Sequence, residues 1–107
     1  MGTVFRRAAA RRDLIQHYAY LAEVAGEVRA DRFLECAAAS FQDLADHPKI
    51  GSPVVSRHPA LSGIRKWRVR DYDNYLIFYL PRRDGVSIVR VLYTAMDWWR
   101  LLWIDEA

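Results

Sequence analysis

Two consecutive amphipathic segments, joined by a single glycine, constrain the fold of this chain more than any other feature. Residues 9–25 carry apolar side chains at the i, i+3, i+4, i+7 spacing of one helix face, and residues 27–46 repeat that spacing. Gly26, between the two segments, is a residue type that commonly ends helices. So short a joint forces two helices to lie antiparallel. The sequence therefore predicts a helical hairpin.

The hydrophobic period changes from 3.6 to 2 at Ile64. Residues 64–70, 75–80 and 86–94 are predicted strands, and the turn sequences DYDN and PRRDG separate them. A weaker strand is predicted at 3–8, and the loop 47–63 holds three of the four prolines. The prediction is an α+β fold of order β-α-α-β-β-β, with the hairpin packed on a small antiparallel sheet. The opposite sheet face is then free to bind a partner.

Composition limits the class of protein. The 107 residues, 52% of them hydrophobic, predict a single globular domain over 1–107. No run approaches the roughly 20 apolar residues of a membrane span. The single Cys36 excludes an internal disulfide and indicates a reducing compartment, so we expect a cytoplasmic protein without membrane contact. The three histidines are scattered, and we therefore expect neither a metal nor another cofactor.

A basic run lies on the first predicted strand of the meander. Arg65, Lys66, Arg68 and Arg70 fall within six residues, and Arg90 lies nearby in the expected sheet order. Strand alternation places Lys66, Arg68 and Arg70 on one face of the sheet. Such a strip can hold a phosphate backbone or an acidic partner. The alternative is a solvated outer face that discourages edge-to-edge aggregation.

The C-terminal stretch is unusually rich in tryptophan. Residues 97–105 are predicted to form a short helix or ordered tail, with Asp97 as the N-cap. Trp99 and Trp103 are four residues apart and would share one helix face, with Trp98 on a neighbouring face. If only one face packs on the fold, the other forms an exposed apolar patch of the kind that marks interaction sites. Alternatively, the whole stretch covers the edge of the sheet.

The order of these motifs resembles the ParE/RelE superfamily of bacterial toxins. The resemblance covers about residues 4–100, and its most specific parts are Asp13-Leu14, HPKIG, GIRKW, YLIFY and IVRVLYTAMD. It implies the toxin of a type II toxin–antitoxin pair, neutralised by a small antitoxin protein. By that resemblance, RelE-like members are ribosome-dependent endoribonucleases, whereas ParE-like members poison DNA gyrase.

The residues favour the ParE-like branch. Metal-free RNA cleavage needs several cations and a proton donor around the scissile phosphate. Of the basic pattern that the RelE resemblance implies, Arg65 retains one position, while Trp67, Leu76 and Met96 occupy others, and no tyrosine follows Tyr93. ParE-like members commonly carry arginine where Met96 stands, so this chain departs from both patterns. We expect a binding protein rather than an enzyme, and we assign no catalytic residue.

The ParE-like interpretation implies two sets of contacts. The antitoxin is expected to lay an amphipathic helix on the hairpin, to add a strand to the sheet edge and to neutralise arginines with an acidic tail. The expected antitoxin-binding residues are Leu14, Tyr18, Leu21, Phe33 and Phe41. The expected gyrase-binding residues are Arg65, Lys66, Arg68, Arg70, Arg90, Trp98, Trp99, Arg100 and Trp103.

Two alternatives remain open. One is a RelE-like nuclease that acts on mRNA at the ribosome through a rearranged set: Arg65, Arg68 and Arg90 with Tyr93. The other is a non-toxic remnant whose only ligand is its antitoxin.

Overall fold

The computed structural model describes residues 2–102 and confirms the predicted α+β fold. Two long helices pack on a five-stranded sheet, and a short helix follows the last strand. In chain order the elements are β1 (Thr3–Arg6), α1 (Ala8–Ala25), α2 (Glu27–Asp46), β2 (Ser52–Pro53), a 3₁₀ turn (Pro59–Leu61), β3 (Arg65–Val69), β4 (Tyr72–Arg82), β5 (Gly85–Tyr93) and α3 (Trp98–Leu101).

The sheet is mixed, whereas the sequence predicted a wholly antiparallel sheet. Its strand order is β1-β5-β4-β3-β2, and the β2–β5 neighbours pair antiparallel. The strand β1 pairs parallel with β5, in a register that sets Thr3 opposite Gly85 and Arg6 opposite Ile88. This pairing joins the first and last strands of the chain, and the two helices between them supply the long crossover that a parallel pair requires.

The helical hairpin covers one face of the sheet. Gly26 has a φ of 94°, a left-handed value that glycine adopts at little cost, and it separates α1 from α2 as predicted. The apolar sides of both helices and the facing strand residues form the larger hydrophobic core, in which Phe33 and Phe41 are fully buried. The small residues Ala30 and Ala37 are also buried there, which is consistent with a close approach of α2 to the sheet.

The other face of the sheet is covered, so the prediction of a free face is wrong. A second hydrophobic core lies there, formed by the 54–64 segment, by β4 and β5, and by the start of the C-terminal stretch. Ile64, Phe78 and Leu102 are almost completely buried in it. The hydroxyl of Ser56 donates a 2.6 Å hydrogen bond to the carbonyl of Leu102. The C-terminal stretch therefore packs against the sheet as far as residue 102.

A buried ion pair ties α1 to the sheet. The register of β4 and β5 shifts opposite Phe78, and beside this irregularity both Arg90 and Val91 reach α1. The carboxylate of Asp13 accepts hydrogen bonds from Arg90 Nε at 2.7 Å, from Arg90 Nη2 at 2.9 Å and from the Val91 backbone N–H at 3.0 Å. This contact accounts physically for Asp13, one of the positions on which the family resemblance depended.

Candidate functional site

The basic strand does not present one continuous cationic face. Lys66 lies opposite Phe78 in the register and faces the second core, where its ammonium is 5.3 Å from the ring centre of Trp98. Arg70 was predicted to share this face, but the register shifts between Arg68 and Val69, and Arg70 turns toward α2. The prediction of a three-residue strip is therefore wrong at Arg70, because β3 ends at Val69 and Arg70 lies in the following turn, where strand alternation no longer sets the direction of a side chain.

Aspartates compensate most of the predicted basic residues within the chain. Four of these predicted residues have a guanidinium group within 4.0 Å of a carboxylate, and in every pair except the buried one both side chains are more than two-fifths exposed. The pairs are Arg68–Asp73 at 3.7 Å, Arg70–Asp43 at 2.5 Å, Arg90–Asp13 at 2.7 Å and Arg100–Asp97 at 3.9 Å. Hydrogen bonding to Asp13 raises the pKa of Arg90, which keeps that guanidinium charged in its partly buried position.

The C-terminal tryptophans are partly buried. The ring of Trp98 packs at a tilt against Phe78 with 5.3 Å between centroids, and Trp99 meets Trp98 edge-on at 5.5 Å. Asp97 precedes α3 as predicted, but its side chain makes no capping hydrogen bond. The side chain of Arg100 is 79% exposed, and Trp103 lies outside the described residues. Trp98 and Trp99 thus pack on a face of the sheet, at Phe78 of the central strand β4, and not on the sheet edge that the alternative named.

The residues of the alternative, rearranged nuclease set make separate contacts, and they lie on different sides of the sheet. Arg65 donates a 3.1 Å hydrogen bond to the carbonyl of Gly51, and Arg90 is held by Asp13. Tyr93 packs against Tyr75, with 5.3 Å between ring centroids, on the hairpin side of the sheet. Arg68 lies opposite Leu76, which packs on the second core, so it faces the other side of the sheet. These groups do not converge on one point from which a phosphate could be reached.

Two buried tyrosines are held in their neutral form. Burial raises the pKa of Tyr75 and of Tyr79, and the backbone N–H of Gly51 opposes part of the effect at Tyr79. The Tyr79 hydroxyl accepts that N–H at 2.9 Å and donates to the carbonyl of Pro48 at 2.7 Å. A phenol with a raised pKa is a poor general base near neutral pH. Tyr79 instead anchors the loop that follows α2.

Most of the predicted antitoxin contacts are in the interior. Leu21, Phe33 and Phe41 belong to the core between the hairpin and the sheet, and Leu14 is only 5% exposed. Tyr18 is partly exposed and donates a 3.0 Å hydrogen bond to Asp31, which is the main reason its pKa is raised. The helical periodicity identified these residues as one apolar face. It did not show that this face packs on the sheet and that a separate apolar surface is exposed.

An apolar groove lies on the outside of the hairpin, between α1 and α2. It has a volume of about 360 Å³, and its lining residues are Arg6, Arg11, Leu14, Ile15, Tyr18 and Leu34. We call it the hairpin groove. Ile15 is 69% exposed and Leu34 is 37% exposed, so the groove presents apolar side chains to solvent. Arg6 and Arg11 flank it, and the guanidinium of Arg6 lies 5.0 Å from the ring centre of Phe41.

The sequence reasoning missed Arg6, Arg11, Ile15 and Leu34 as members of a surface. The signal was present, because Ile15 and Leu34 widen the apolar stripe of each helix beyond what one packed face needs. In residues 2–102, no helix is long and apolar enough to cross a membrane. Within the same residues, no cluster of His, Cys, Asp or Glu has the arrangement of a metal site.

Comparisons with known proteins bear on the fold and on the family of the chain. No curated protein sequence matches the chain. Among solved structures, a chain titled "Chromosomal ParDE TA system from P. aeruginosa" shares the fold with a TM-score of 0.69, at 16% identity over 87% of this chain and 96% of that one. The family model of the ParE toxin of the type II toxin–antitoxin system parDE matches residues 4–98. Because this match spans most of its length, the chain belongs to the ParE toxin family.

Proposed function

We propose that this chain is a growth-inhibiting toxin that binds DNA gyrase and is neutralised by a cognate antitoxin. Membership of the ParE toxin family carries the proposal. The scattered positions of Arg65, Arg68, Arg90 and Tyr93 support binding rather than RNA cleavage, because a metal-free nuclease must gather its cations and proton donor around one phosphate. The position of Met96, 41% exposed after β5, supplies no cation.

The target contact is proposed to include the outer side of α3. Trp98 and Trp99 are only partly buried, and Arg100 projects into solvent beside them. Aromatic and arginine side chains are the residue types most enriched at binding hot spots. Lys66, stacked against Trp98, borders the same surface.

The test is a supercoiling and DNA-cleavage assay with gyrase from the source organism. Addition of the purified chain is expected to inhibit supercoiling and to accumulate cleaved DNA. A matched protein with Arg100 replaced by glutamate is expected to lose inhibition while keeping its circular dichroism spectrum. Folded wild-type protein without effect on gyrase would contradict the proposed target.

Growth and translation assays distinguish the alternatives. Expression of the chain without an antitoxin is expected to arrest growth with filamentation and a DNA-damage response. Arrest of translation with cleaved mRNA would instead support the RelE-like nuclease. Normal growth at verified expression would support the non-toxic remnant.

The antitoxin is proposed to occupy the hairpin groove with an amphipathic acidic helix. The floor of the groove is apolar, and Arg6 and Arg11 supply positive charge at its side. An amphipathic helix in such a groove buries its apolar face and pairs its acidic residues with the flanking guanidinium groups. The free edge of β1, next to Arg6, can accept an additional strand.

Two glutamate substitutions test this surface. Ile15→Glu replaces an apolar contact in the groove by a carboxylate that can pair with Arg11 and repels acidic residues of the antitoxin, and it is expected to weaken binding of the cognate antitoxin by about 100-fold. Val28→Glu is the matched control, because Val28 is 86% exposed near the hairpin turn and does not line the groove. Isothermal titration should show near wild-type affinity for the control. Equal affinities for both variants would contradict the proposed docking.

A further inference from the structure

An apolar groove lies beside the C-terminal stretch, where the loop that follows α2 meets the start of β3. It has a volume of about 480 Å³. Its apolar lining residues are Pro53, Val54, Val55, Ile64 and Pro81. Val55 is 84% exposed, so this lining presents apolar surface to solvent. We call it the loop groove.

Two cations border the loop groove. Lys49 and Arg65 both line it, and Lys49 is exposed. Arg65 donates a 3.1 Å hydrogen bond to the carbonyl of Gly51. A guanidinium group carries five N–H donors, so this contact leaves Arg65 able to pair with a carboxylate as well. The loop groove therefore suits a segment that is apolar in one part and acidic in the next.

The C-terminal stretch reaches the wall of the loop groove at Leu102. This residue is 1% exposed, and its carbonyl accepts the 2.6 Å hydrogen bond from Ser56, which itself lines the loop groove. That carbonyl belongs to the peptide bond between Leu102 and Trp103. Because consecutive Cα atoms are about 3.8 Å apart, the chain beyond Leu102 starts at the edge of the loop groove.

The residues that follow have the composition that the loop groove suits. Trp103 and Ile104 are apolar, and Asp105 and Glu106 are acidic. They lie outside the described residues. Four extended residues reach about 13 Å, at about 3.3 Å per residue. The two cations line the same groove as the anchoring serine, so a segment of this length can cover the valines and bring its carboxylates to the cations.

We propose that residues 103–106 bind in the loop groove of their own chain. The two apolar side chains cover the exposed valine and its apolar neighbours, and the two carboxylates pair with Lys49 and Arg65. The hydrogen bond at Leu102 makes this docking intramolecular, and a short tether gives an effective concentration in the millimolar range. A separate partner in the loop groove would have to displace the tethered segment.

The docked segment has a consequence for α3. The helix is held at its start by the contact of Trp98 with Phe78 and at its end by the docked segment. Trp103 then holds the C-terminal stretch in place and does not contact gyrase, which is the role that the sequence predicted. Docking needs neither gyrase nor an antitoxin. Failure of the gyrase assay therefore does not decide it, and failure of docking does not decide gyrase inhibition.

Amide hydrogen exchange, followed by NMR, tests the docking with two valines of nearly equal exposure. Val55→Glu removes an apolar contact in the loop groove, repels the acidic residues and competes for the cations. The amides of residues 103–106 are expected to exchange at least about 10-fold faster than in the wild type. Val28→Glu is the matched control, because Val28 is 86% exposed near the hairpin turn and does not line the loop groove. Unchanged exchange within α1 and α2 shows that both variants are folded.

Disulfide trapping shows which chain supplies the segment. Val55→Cys/Ile104→Cys is expected to form an intramolecular disulfide under mild oxidation, in a yield at least about 10-fold above that of Val28→Cys/Ile104→Cys. The native Cys36 is buried, so its thiol does not compete. Mass spectrometry and non-reducing gels distinguish the intramolecular disulfide from a linked dimer.

Several results would overturn the proposal. One is wild-type exchange at 103–106 as fast as in an unfolded peptide, and another is equal exchange in the wild type and both glutamate variants. Equal disulfide yields in the two cysteine pairs would also overturn it. So would disulfide-linked dimers in place of the intramolecular product, because the segment in the loop groove would then come from a second copy of the chain.

Discussion

Replacing Asp13 with alanine is expected to lower the free energy of unfolding by about 3 kcal/mol. The carboxylate is 5% exposed and accepts three hydrogen bonds, two from Arg90 and one from the Val91 N–H. Alanine leaves both donors without their acceptor. Removing one partner of a buried ion pair costs about 3–5 kcal/mol. We expect the lower end, because the Arg90 side chain is 24% exposed and can recover some hydration.

A double variant distinguishes the energetic cost of leaving the Arg90 guanidinium unpaired from the cost of the lost hydrogen bond to Val91. In Asp13→Ala/Arg90→Met the guanidinium is absent, and the unpaired group that remains is the Val91 N–H, which costs about 1–3 kcal/mol. The double variant is therefore expected to be more stable than Asp13→Ala alone, by about 1 kcal/mol or more. This ordering is the signature of a buried charge, since loss of packing alone would make the double variant the weaker protein.

Urea unfolding, followed by tryptophan fluorescence and circular dichroism, measures these differences. Arg32→Ala is the control, because the Arg32–Asp71 pair at 3.0 Å is more than half exposed and such pairs contribute about 0–1 kcal/mol. A loss of unfolding free energy in Asp13→Ala no larger than that in Arg32→Ala would refute a stabilising role of the buried pair. The cost assigned to the unpaired guanidinium is refuted if the double variant is no more stable than the single one.

Three further outcomes follow from the buried aromatic residues. Tyr79→Phe removes the hydroxyl that joins Gly51 and Pro48 and should lower the unfolding free energy by about 2 kcal/mol in urea, whereas no change would show that the loop needs no anchor. Trp98→Ala should cost about 2 kcal/mol, because the ring is partly buried; wild-type stability would exclude a packing role. Burial raises the pKa of Tyr75 and Tyr79. Their contribution to the free energy of unfolding is therefore complete below pH about 10 and is lost as the pH rises through their folded-state pKa values. Urea midpoints that rise between pH 9 and 11 would contradict this sign.

The hairpin and the meander could be predicted from local sequence. Helices were expected at 9–25 and 27–46, and they span Ala8–Ala25 and Glu27–Asp46. The glycine between them has the left-handed φ that its position required. The strands expected at 64–70, 75–80 and 86–94 are present with shifted ends. These features depend on periodicity and on turn residues, which act between near neighbours.

The partner of β1 and the direction of the Arg70 side chain could not be predicted from local sequence. The parallel pairing of β1 depends on contacts with β5, about eighty residues away, and nothing in 3–8 encodes that partner. Arg70 contacts Asp43, although alternation assigned it to the opposite face, because β3 ends at Val69 and Arg70 lies in the turn. Periodicity gives the apolar positions of a strand, but it does not give the residue at which the strand ends and alternation stops.

The packing of α3 on the second face of the sheet affects how an antitoxin could neutralise this chain. The hairpin groove lies on one side of the sheet, and α3 packs on the other. An antitoxin helix confined to the groove would leave Arg100 and the outer edges of Trp98 and Trp99 accessible. If gyrase binds α3, neutralisation requires a second antitoxin segment that passes the sheet edge, and the free edge of β1 lies beside the groove. If both proposals hold, tight binding and neutralisation are separable properties of the antitoxin, and a groove-binding fragment alone is expected to bind this chain without suppressing the proposed inhibition of gyrase.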